Sequence, residues 1–329
     1  MKIPRRQFLQ LAAGAAVLPA VVRIGHAQAF PTRPMTIIVP FPAGGPADAI
    51  ARVLAERMRA TLGQPVIVEN VAGAGGSIGV GRVARAAPDG HTLSIGQLNS
   101  HVFSGAAYSV RYDLLRDFDP VALLTTNPQM IVGRKDLPAK NMQELIAWLK
   151  ANPDKASFGT PGVGSPSHVW GVYFQNNTGT RFQFVPYRGA APAMQDILSG
   201  QIDLTCLQAS DLLPQVRSGN VRAYAILARA PWERAPEIPT VDQAGVPGLH
   251  MPFWHGLWAP ANTPRDIITR LNAAVSEALS DPSVRQRFDA IGQEIFPRNQ
   301  QTPEALAALQ KADIEKWWPV IKAANIKGE

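Results

Sequence analysis

Short β-branched apolar runs alternate with amphipathic helical patterns along most of this chain, and this alternation limits the folds available to it. Residues 36–41 form one such run, and residues 47–60 follow with Ile50, Leu54 and Met58 on one helical face. Because a strand, a helix and a second strand in succession build a right-handed crossover unit, repeated alternation predicts an α/β fold. We therefore expect mostly parallel sheets flanked by helices.

Four glycine-rich junctions lie where a predicted strand passes into a predicted helix. They cover residues 41–48, 72–77, 159–168 and 186–192. A helix N-terminus offers unpaired N–H groups and a partial positive charge, and glycine lets a ligand approach the backbone closely. Because the carboxyl ends of strands in an open α/β sheet face one crevice, these junctions predict an anion site that needs no buried lysine or arginine.

Each junction also has a purely structural interpretation. A glycine-containing turn is common in any α/β protein, and one such turn alone is more often a tight connection than a site. Asp48 has two interpretations of equal standing: it contacts a ligand, or it caps its own helix. The number of glycine-rich junctions, rather than any one of them, favours the binding interpretation.

Two other motifs suggest different chemistry. Residues 75–79 fit the G-x-S-x-G pattern of serine hydrolases, and Ser77, Asp242 and His255 occur in the order of a hydrolase triad. However, several loop residues separate Ser77 from the preceding predicted strand, whereas a hydrolase nucleophile follows its strand directly. Residues 79–84 fit a dinucleotide-binding fingerprint but lie inside a helical pattern, which favours helix packing.

Charge and cysteine content exclude several classes of protein. The chain has 32 Lys and Arg against 25 Asp and Glu, and four of the cations lie in residues 1–29, which hold no acid. The rest of the chain has 28 cations against 25 acids, interspersed, so no nucleic-acid surface is expected. The single cysteine, Cys206, excludes a disulfide framework and is expected to be buried. The histidines show no metal-ligand spacing, so neither a metal nor a cofactor is predicted.

Residues 1–29 have the pattern of an export signal. A basic start containing Arg5 and Arg6 precedes a mildly apolar stretch, and residues 27–29 fit a small-x-small cleavage site. The apolar stretch is shorter than the roughly 20 residues needed to cross a bilayer. The arginine pair favours the twin-arginine route, with an ordinary Sec signal as the alternative. We expect a soluble, exported protein that begins near Phe30.

Short motifs are distributed through nearly the whole sequence after residue 30. Each is weak alone, but their number, order and spacing are specific. They include Pro31-Thr32-Arg33-Pro34, Ala43-Gly44-Gly45 with Asp48, Gly73-Ala74-Gly75-Gly76, Ala87-Pro88-Asp89-Gly90, Asp117-Phe118-Asp119-Pro120, Gly159-Thr160-Pro161-Gly162 with His168, Pro186-Tyr187-Arg188-Gly189 and Gly200-Gln201-Ile202-Asp203. Together they resemble the substrate-binding (Bug) family of tripartite tricarboxylate transporters.

The resemblance implies a type II periplasmic binding protein, in which two α/β lobes close on a ligand about a hinge. Lobe 1 would comprise residues 30–125 and 253–329, and lobe 2 residues 126–252. The family's ligand contacts lie in the loops after the first strands of each lobe. Carried over to this sequence, they are Phe41, Ala43, Gly44, Asp48, Ala74, Gly75 and Ser77 in lobe 1, and Thr160, Ser165, His168, Tyr187 and Gly189 in lobe 2.

This sequence departs from the family's pattern at the first loop. Pro46 and Ala47 stand where members commonly have another residue and a threonine before the aspartate. A hydroxyl is therefore missing from the local donor set near Asp48.

The implied function is that of a monomeric, non-catalytic receptor in the periplasm. It would bind a small mono- or dicarboxylic acid without a cofactor and deliver it to membrane permease subunits. No acidic residue of the sequence is clearly placed to meet an amino group, which favours a simple carboxylate. Two alternatives stay open: a secreted serine hydrolase that uses Ser77, and a sensor of the same fold that signals to a membrane kinase.

Overall fold

The computed structural model describes residues 30–328, and the predicted export signal at residues 1–29 lies outside this range. In chain order the strands are β1 (Met35–Val39), β2 (Val66–Asn70), β3 (Thr92–Gln97), β4 (Phe118–Thr126), β5 (Gln129–Arg134), β6 (Ser157–Thr160), β7 (Gln183–Pro186), β8 (Leu204–Gln208), β9 (Val221–Ile226), β10 (Trp254–Pro260) and β11 (Glu294–Ile295). The α-helices are α1 (Pro46–Leu62), α2 (Ser77–Ala84), α3 (Ser104–Ala107), α4 (Met142–Ala151), α5 (Pro166–Thr178), α6 (Ala190–Leu198), α7 (Ala209–Arg217), α8 (Arg265–Ser280), α9 (Pro282–Ala290) and α10 (Pro303–Ala323).

The strands form two separate sheets. The six-stranded sheet has the order β11-β4-β10-β3-β1-β2, and the part of the molecule built on it is named lobe 1. The five-stranded sheet has the order β7-β6-β8-β5-β9, and the part built on it is named lobe 2. The two-lobed α/β fold expected from the resemblance is confirmed.

Both sheets are mixed, whereas the sequence predicted mostly parallel sheets. In lobe 1, β1 pairs in parallel with β2 and β3, but β10 lies antiparallel between β3 and β4. In lobe 2, β5 lies antiparallel between β8 and β9, while β6 pairs in parallel with β7 and β8. The chain enters β10 and β5 directly from the other lobe, so no right-handed helical crossover sets their direction.

Helix α1 shows how the sequence pattern builds the core of lobe 1. Pro46 occupies its first turn, and Gly63 ends it in a left-handed conformation at φ 71°. Ile50, Leu54 and Met58 are fully buried in the core between the helix and the sheet. At about 1.5–3 kcal/mol per buried apolar side chain, this face stabilises the lobe.

The chain crosses between the lobes at two neighbouring places. Residues 127–128 connect β4 to β5, and residues 227–253 lead from β9 back to β10. The Asn127 N–H and the Thr126 hydroxyl both donate to the Phe253 carbonyl, at 2.9 and 3.0 Å. The lobes are therefore joined by two crossing segments that are hydrogen-bonded to each other.

Helix α10, near the C-terminus, packs against both lobes. The buried Trp317 contacts Phe103 of lobe 1 and Tyr173 of α5 in lobe 2, with ring centroids 6.0 and 5.3 Å apart. The Lys316 ammonium donates to the His250 carbonyl at 2.7 Å, in the returning crossing. Helix α10 therefore holds lobe 2 and the returning crossing near lobe 1 without a covalent connection.

Several predictions concern isolated groups. Cys206 on β8 is fully buried, as predicted, and burial raises the pKa of its thiol. Within residues 30–328, no helix is long and apolar enough to cross a membrane. The same residues contain no cluster of three His, Cys, Asp or Glu that could hold a metal ion.

Candidate ligand-binding cleft

A cavity of about 270 Å³ lies between the two lobes, where strand ends of both sheets meet. Lobe 1 and the returning crossing line it with Phe41, Gln97, Asn99 and Phe253. Lobe 2 lines it with Gln129, Pro161, Ser165, Pro166, Ser167, Ala190, Cys206, Leu207, Gln208 and Asp211. The first turns of α5, α6 and α7 thus face one cavity. Its size is slightly below the roughly 300–1,000 Å³ of drug-sized ligand pockets, which suits a small metabolite.

The N-terminus of α5 presents donors to this cavity. The Ser165 hydroxyl caps the helix by accepting from the His168 N–H at 3.3 Å, and Pro166 is the first helical residue. Ser167 follows, only 2% exposed, and its hydroxyl has no hydrogen-bond partner among residues 30–328. A buried hydroxyl without a partner costs about 1–3 kcal/mol, and the nearby N–H groups of a first helical turn have no acceptor within the helix. A ligand anion at this position would supply acceptors for these donors.

His168 supports the loop before α5. Its Nδ1 accepts a hydrogen bond from the Gly164 N–H at 3.0 Å, and its ring packs edge-on against Phe184 with centroids 4.5 Å apart. Burial lowers the pKa of His168, which keeps the imidazole neutral and able to accept this bond. His168 therefore shapes the loop and does not line the cavity.

Tyr187, Thr160 and Gly189 hold the two glycine-rich loops of lobe 2 together. The Tyr187 N–H donates to the Thr160 carbonyl at 2.8 Å, and the Gly189 N–H donates to the Pro161 carbonyl at 3.0 Å. The Tyr187 hydroxyl donates to Asp196, and burial together with this carboxylate raises the pKa of Tyr187 to about 12. The phenol is thus committed to Asp196, while the backbone bonds place Pro161 on the cavity wall.

Asp48 organises the first loop of lobe 1. Its carboxylate accepts from the Gly44 N–H at 2.9 Å, from Arg52 Nε at 3.0 Å and from Asn70 Nδ2 at 3.0 Å. The same Asn70 amide donates to the Phe41 carbonyl at 3.1 Å. Burial opposes ionisation of Asp48, but these hydrogen bonds outweigh it and hold its pKa below the usual value. Both carboxylate oxygens serve the loop that carries Phe41. Asp48 does not line the cavity, and it does not cap its own helix either, because the N-cap position is Gly45 and has no side-chain cap bond.

The second loop of lobe 1 supports Asn99. Ala74 and Gly75 are left-handed, at φ 45° and 61°, and a Cβ on Gly75 would lie 2.6 Å from the Tyr108 ring. The Asn99 amide donates to the Gly75 carbonyl at 3.4 Å and begins a π-helical turn, Asn99–Phe103. Ser77 begins α2 after this loop. The tight backbone therefore lies behind the cavity wall, and Asn99 reaches the cavity.

Phe41 and Ser165 are the two predicted contact residues that line the cavity in this structure. The others do not line it and lie in the adjoining loops or in the strand and helix ends beside them: Ala43, Gly44, Asp48, Ala74, Gly75, Ser77, Thr160, His168, Tyr187 and Gly189. The sequence reasoning missed the polar lining residues Gln97, Asn99, Gln129, Ser167, Gln208 and Asp211. Their position at or just after a strand end, or in the first turn of a helix, is the signal that could have found them.

The hydrolase triad suggested by the sequence order is not assembled. Asp242 lies 2.8 Å from His250 Nε2, while the buried His255 has its Nδ1 3.2 Å from the Thr125 hydroxyl. Burial lowers the pKa of His255 to about 3, far from that of a general base at neutral pH. Nothing in this arrangement activates Ser77 through a histidine paired with Asp242.

Two α/β lobes joined by paired crossings, with helix N-termini facing the cavity between them, define the class of two-lobed solute-binding proteins. Residues 50–326 match the family described as tripartite tricarboxylate transporter family receptor, TctC. The chain belongs to this family. The resemblance deduced from the short sequence motifs is confirmed.

Three solved structures illustrate the similarity. The periplasmic binding protein BugD is 38% identical with a TM-score of 0.76, covering 91% of this chain and 99% of that chain. MatC from Rhodopseudomonas palustris, with bound malate, is 39% identical with a TM-score of 0.77, and the match covers 89% of this chain and 100% of MatC. Rpa4515 from R. palustris, with adipate, is 31% identical with a TM-score of 0.78, covering 91% and 99%.

Proposed function

We propose that this protein is an extracytoplasmic solute receptor that binds a small carboxylate between its lobes. The observation that carries the proposal is Ser167, a cavity-lining residue at the N-terminus of α5 whose buried hydroxyl has no hydrogen-bond partner among residues 30–328. The malate and adipate in two related structures are carboxylates, which supports the ligand class. The receptor acts as a monomer in the periplasm, exported by residues 1–29, and delivers its ligand to the permease subunits of a tripartite tricarboxylate-type transporter.

Binding starts from lobe 2 in this proposal. The ligand carboxylate accepts from the Ser167 hydroxyl and from the N–H groups of the first turn of α5. A micromolar dissociation constant corresponds to about −8 kcal/mol, and hydrogen bonds to a charged group contribute roughly 1.5–3 kcal/mol each. A few such bonds suffice after the costs of desolvation and ordering are met.

Closure of the lobes completes the site. Residues 30–125 with 253–329 move as one unit against residues 126–252, about the paired crossings. The movement brings Phe41, Gln97 and Asn99, with the loops carrying Ala43, Gly44, Ala74, Gly75 and Ser77, toward the ligand. The ligand stabilises the closed form by its higher affinity for that form.

Ser167→Ala tests the proposal. Calorimetry and thermal shift with a panel of small organic acids should show binding to the wild type, and an affinity about 10- to 100-fold weaker in the variant. The free variant should be as stable as the wild type, because the Ser167 hydroxyl loses no partner. The proposal is wrong if no carboxylate binds the wild type, or if Ser167→Ala binds equally well.

Ser283→Ala is the matched control. Ser283 follows Pro282 at the start of α9, as Ser167 follows Pro166 at the start of α5, but it is exposed and lies outside the cavity. The affinity of Ser283→Ala for the ligand should equal that of the wild type. Ester turnover by the wild type that Ser77→Ala abolishes would instead support the hydrolase alternative.

A further inference from the structure

Asp211 has a position that the carboxylate proposal does not use. It lies in the first turn of α7, is solvent-exposed, and lines the cavity between the lobes. Among the described residues that line this cavity, it carries the one charged side chain. The other polar lining groups are the amides of Gln97, Asn99, Gln129 and Gln208 and the hydroxyls of Ser165 and Ser167.

The carboxylate of Asp211 has no cationic partner within residues 30–328. Its hydrogen bond from the neighbouring Ser210 hydroxyl is long, at 3.4 Å. Arg217 and Arg234 line an adjoining groove that also reaches Asp211, but both guanidinium groups are engaged elsewhere. Arg217 donates to the Arg234 carbonyl at 2.7 Å, and Arg234 pairs with Asp289.

The protein around Asp211 changes the pKa of its carboxyl. Although Asp211 is exposed to solvent, the surrounding protein partly desolvates its carboxyl and raises its pKa, against a smaller opposing effect of the Ser210 hydroxyl. A ligand and the facing lobe would remove further water from this carboxylate, which is unfavourable unless an opposite charge or a strong donor meets it. A cationic group on the ligand removes this penalty, whereas a second ligand carboxylate adds repulsion between like charges.

We propose that the ligand is a small amino carboxylate, bound with its carboxylate at Ser167 and the α5 N-terminus and its ammonium group facing Asp211. This inference rests on the proposed function and narrows its ligand class. The structure thereby supplies the acidic residue that the sequence did not clearly place. The cavity of about 270 Å³ favours a ligand with a short carbon chain.

The test compares ligands of similar size on the whole protein. The probes are 4-aminobutyrate and L-2-aminobutyrate, which carry an ammonium, butyrate, which lacks it, and glutarate, which has a carboxylate in its place. By calorimetry, at least one aminobutyrate should bind the wild type about tenfold or more tightly than butyrate and glutarate.

Asp211→Asn should remove most of that preference and should tighten glutarate binding, because the repulsion is lost. Asp211→Glu keeps the charge and should retain the order of preference. Asp266→Asn is the matched control, since Asp266 is an exposed acid in the first turn of α8, outside the cavity. Its ligand preferences should equal those of the wild type.

Two outcomes overturn the inference and leave the receptor function intact. In one, glutarate or butyrate binds the wild type as tightly as both aminobutyrates. In the other, Asp211→Asn leaves the order of the ligands unchanged. Failure of all four probes and of the wider organic-acid panel overturns the proposed function itself, and the inference with it.

Discussion

The two walls of the cavity present different chemical groups to a ligand. Lobe 2 offers the first turns of three helices, whose N–H groups are fixed by the backbone, together with the buried Ser167 hydroxyl. Both walls carry side-chain amides, Gln129 and Gln208 in lobe 2 and Gln97 and Asn99 in lobe 1, but lobe 1 and its crossing add two phenylalanine rings, Phe41 and Phe253, where lobe 2 adds helix N-termini. In the proposed function, the helix N-termini of lobe 2 recognise the charge of the ligand and the side chains of lobe 1 enclose it.

The largest expected difference between the lobes is their response to acid. His101 and His255 are fully buried in lobe 1, and burial lowers the pKa of each to about 3. An unfolded histidine titrates near pH 6.5, so the unfolded state binds more protons between pH 6.5 and 3 and stability falls as pH drops through that range. At pH 5 the two histidines should lower the free energy of unfolding by about 4 kcal/mol. Denaturant unfolding at pH 7 and pH 5 measures this loss.

One group in the same lobe acts in the opposite direction. Burial raises the pKa of Asp313 to about 6, so the folded state takes up a proton first and regains roughly 1 kcal/mol by pH 5. The effect of the two histidines is larger than that of Asp313. As the pH is lowered from 7 to 5, hydrogen exchange should therefore show β3 and β10 of lobe 1 losing protection before β8 of lobe 2. His255→Gln should reduce the pH dependence by about half of the histidine contribution. Equal loss of protection in both lobes would contradict the prediction that the buried histidines make lobe 1 the more acid-sensitive lobe.

Asp48→Ala should have a smaller effect, confined to the lobe 1 wall. It removes the acceptor for Gly44, Arg52 and Asn70 and should lower the free energy of unfolding by about 1–3 kcal/mol. Ligand affinity should fall only a fewfold, because Phe41 loses its anchored loop and the lobe 2 donors stay. Asp266→Ala, another acid in the first turn of a helix, is the control for denaturant unfolding and calorimetry. Matching losses in the two variants would contradict the role of Asp48.

Asn99→Ala should have the smallest effect and sharpens the contrast with Ser167→Ala. Asn99 lines the cavity, and its amide makes one long hydrogen bond to Gly75 at 3.4 Å, so stability should hardly change. A neutral hydrogen bond contributes about 0.5–1.5 kcal/mol, which predicts a two- to tenfold loss of affinity by calorimetry. If Asn99→Ala weakened binding as much as Ser167→Ala, the two walls would contribute equally to the free energy of ligand binding, which would contradict the proposed difference between them.

The sequence revealed the lobes' elements more fully than their pairing or their site. Apolar periodicity is local, so β1 and α1 could be predicted from residues a few positions apart. The direction of β10 depends on its arrival from lobe 2, which no local pattern encodes. Glycine pointed to three junctions with residues on the cavity wall, 41–48, 159–168 and 186–192, whereas no residue of 72–77 lines it. It also drew attention to Tyr187 and His168, which support the loops without lining the cavity. Ser167 lay inside a predicted junction, residues 159–168, but was not singled out among its polar residues, and Asp211 was missed because the junction between β8 and α7 holds no glycine.

Phe253 belongs both to the pivot and to the binding pocket. Its carbonyl receives the hydrogen bonds that tie the outgoing and returning segments together, and the residue also lines the cavity. In the proposed function the lobes move about these paired segments. A ligand that contacts Phe253 would therefore touch the proposed hinge itself, and binding and lobe closure would be coupled through one residue.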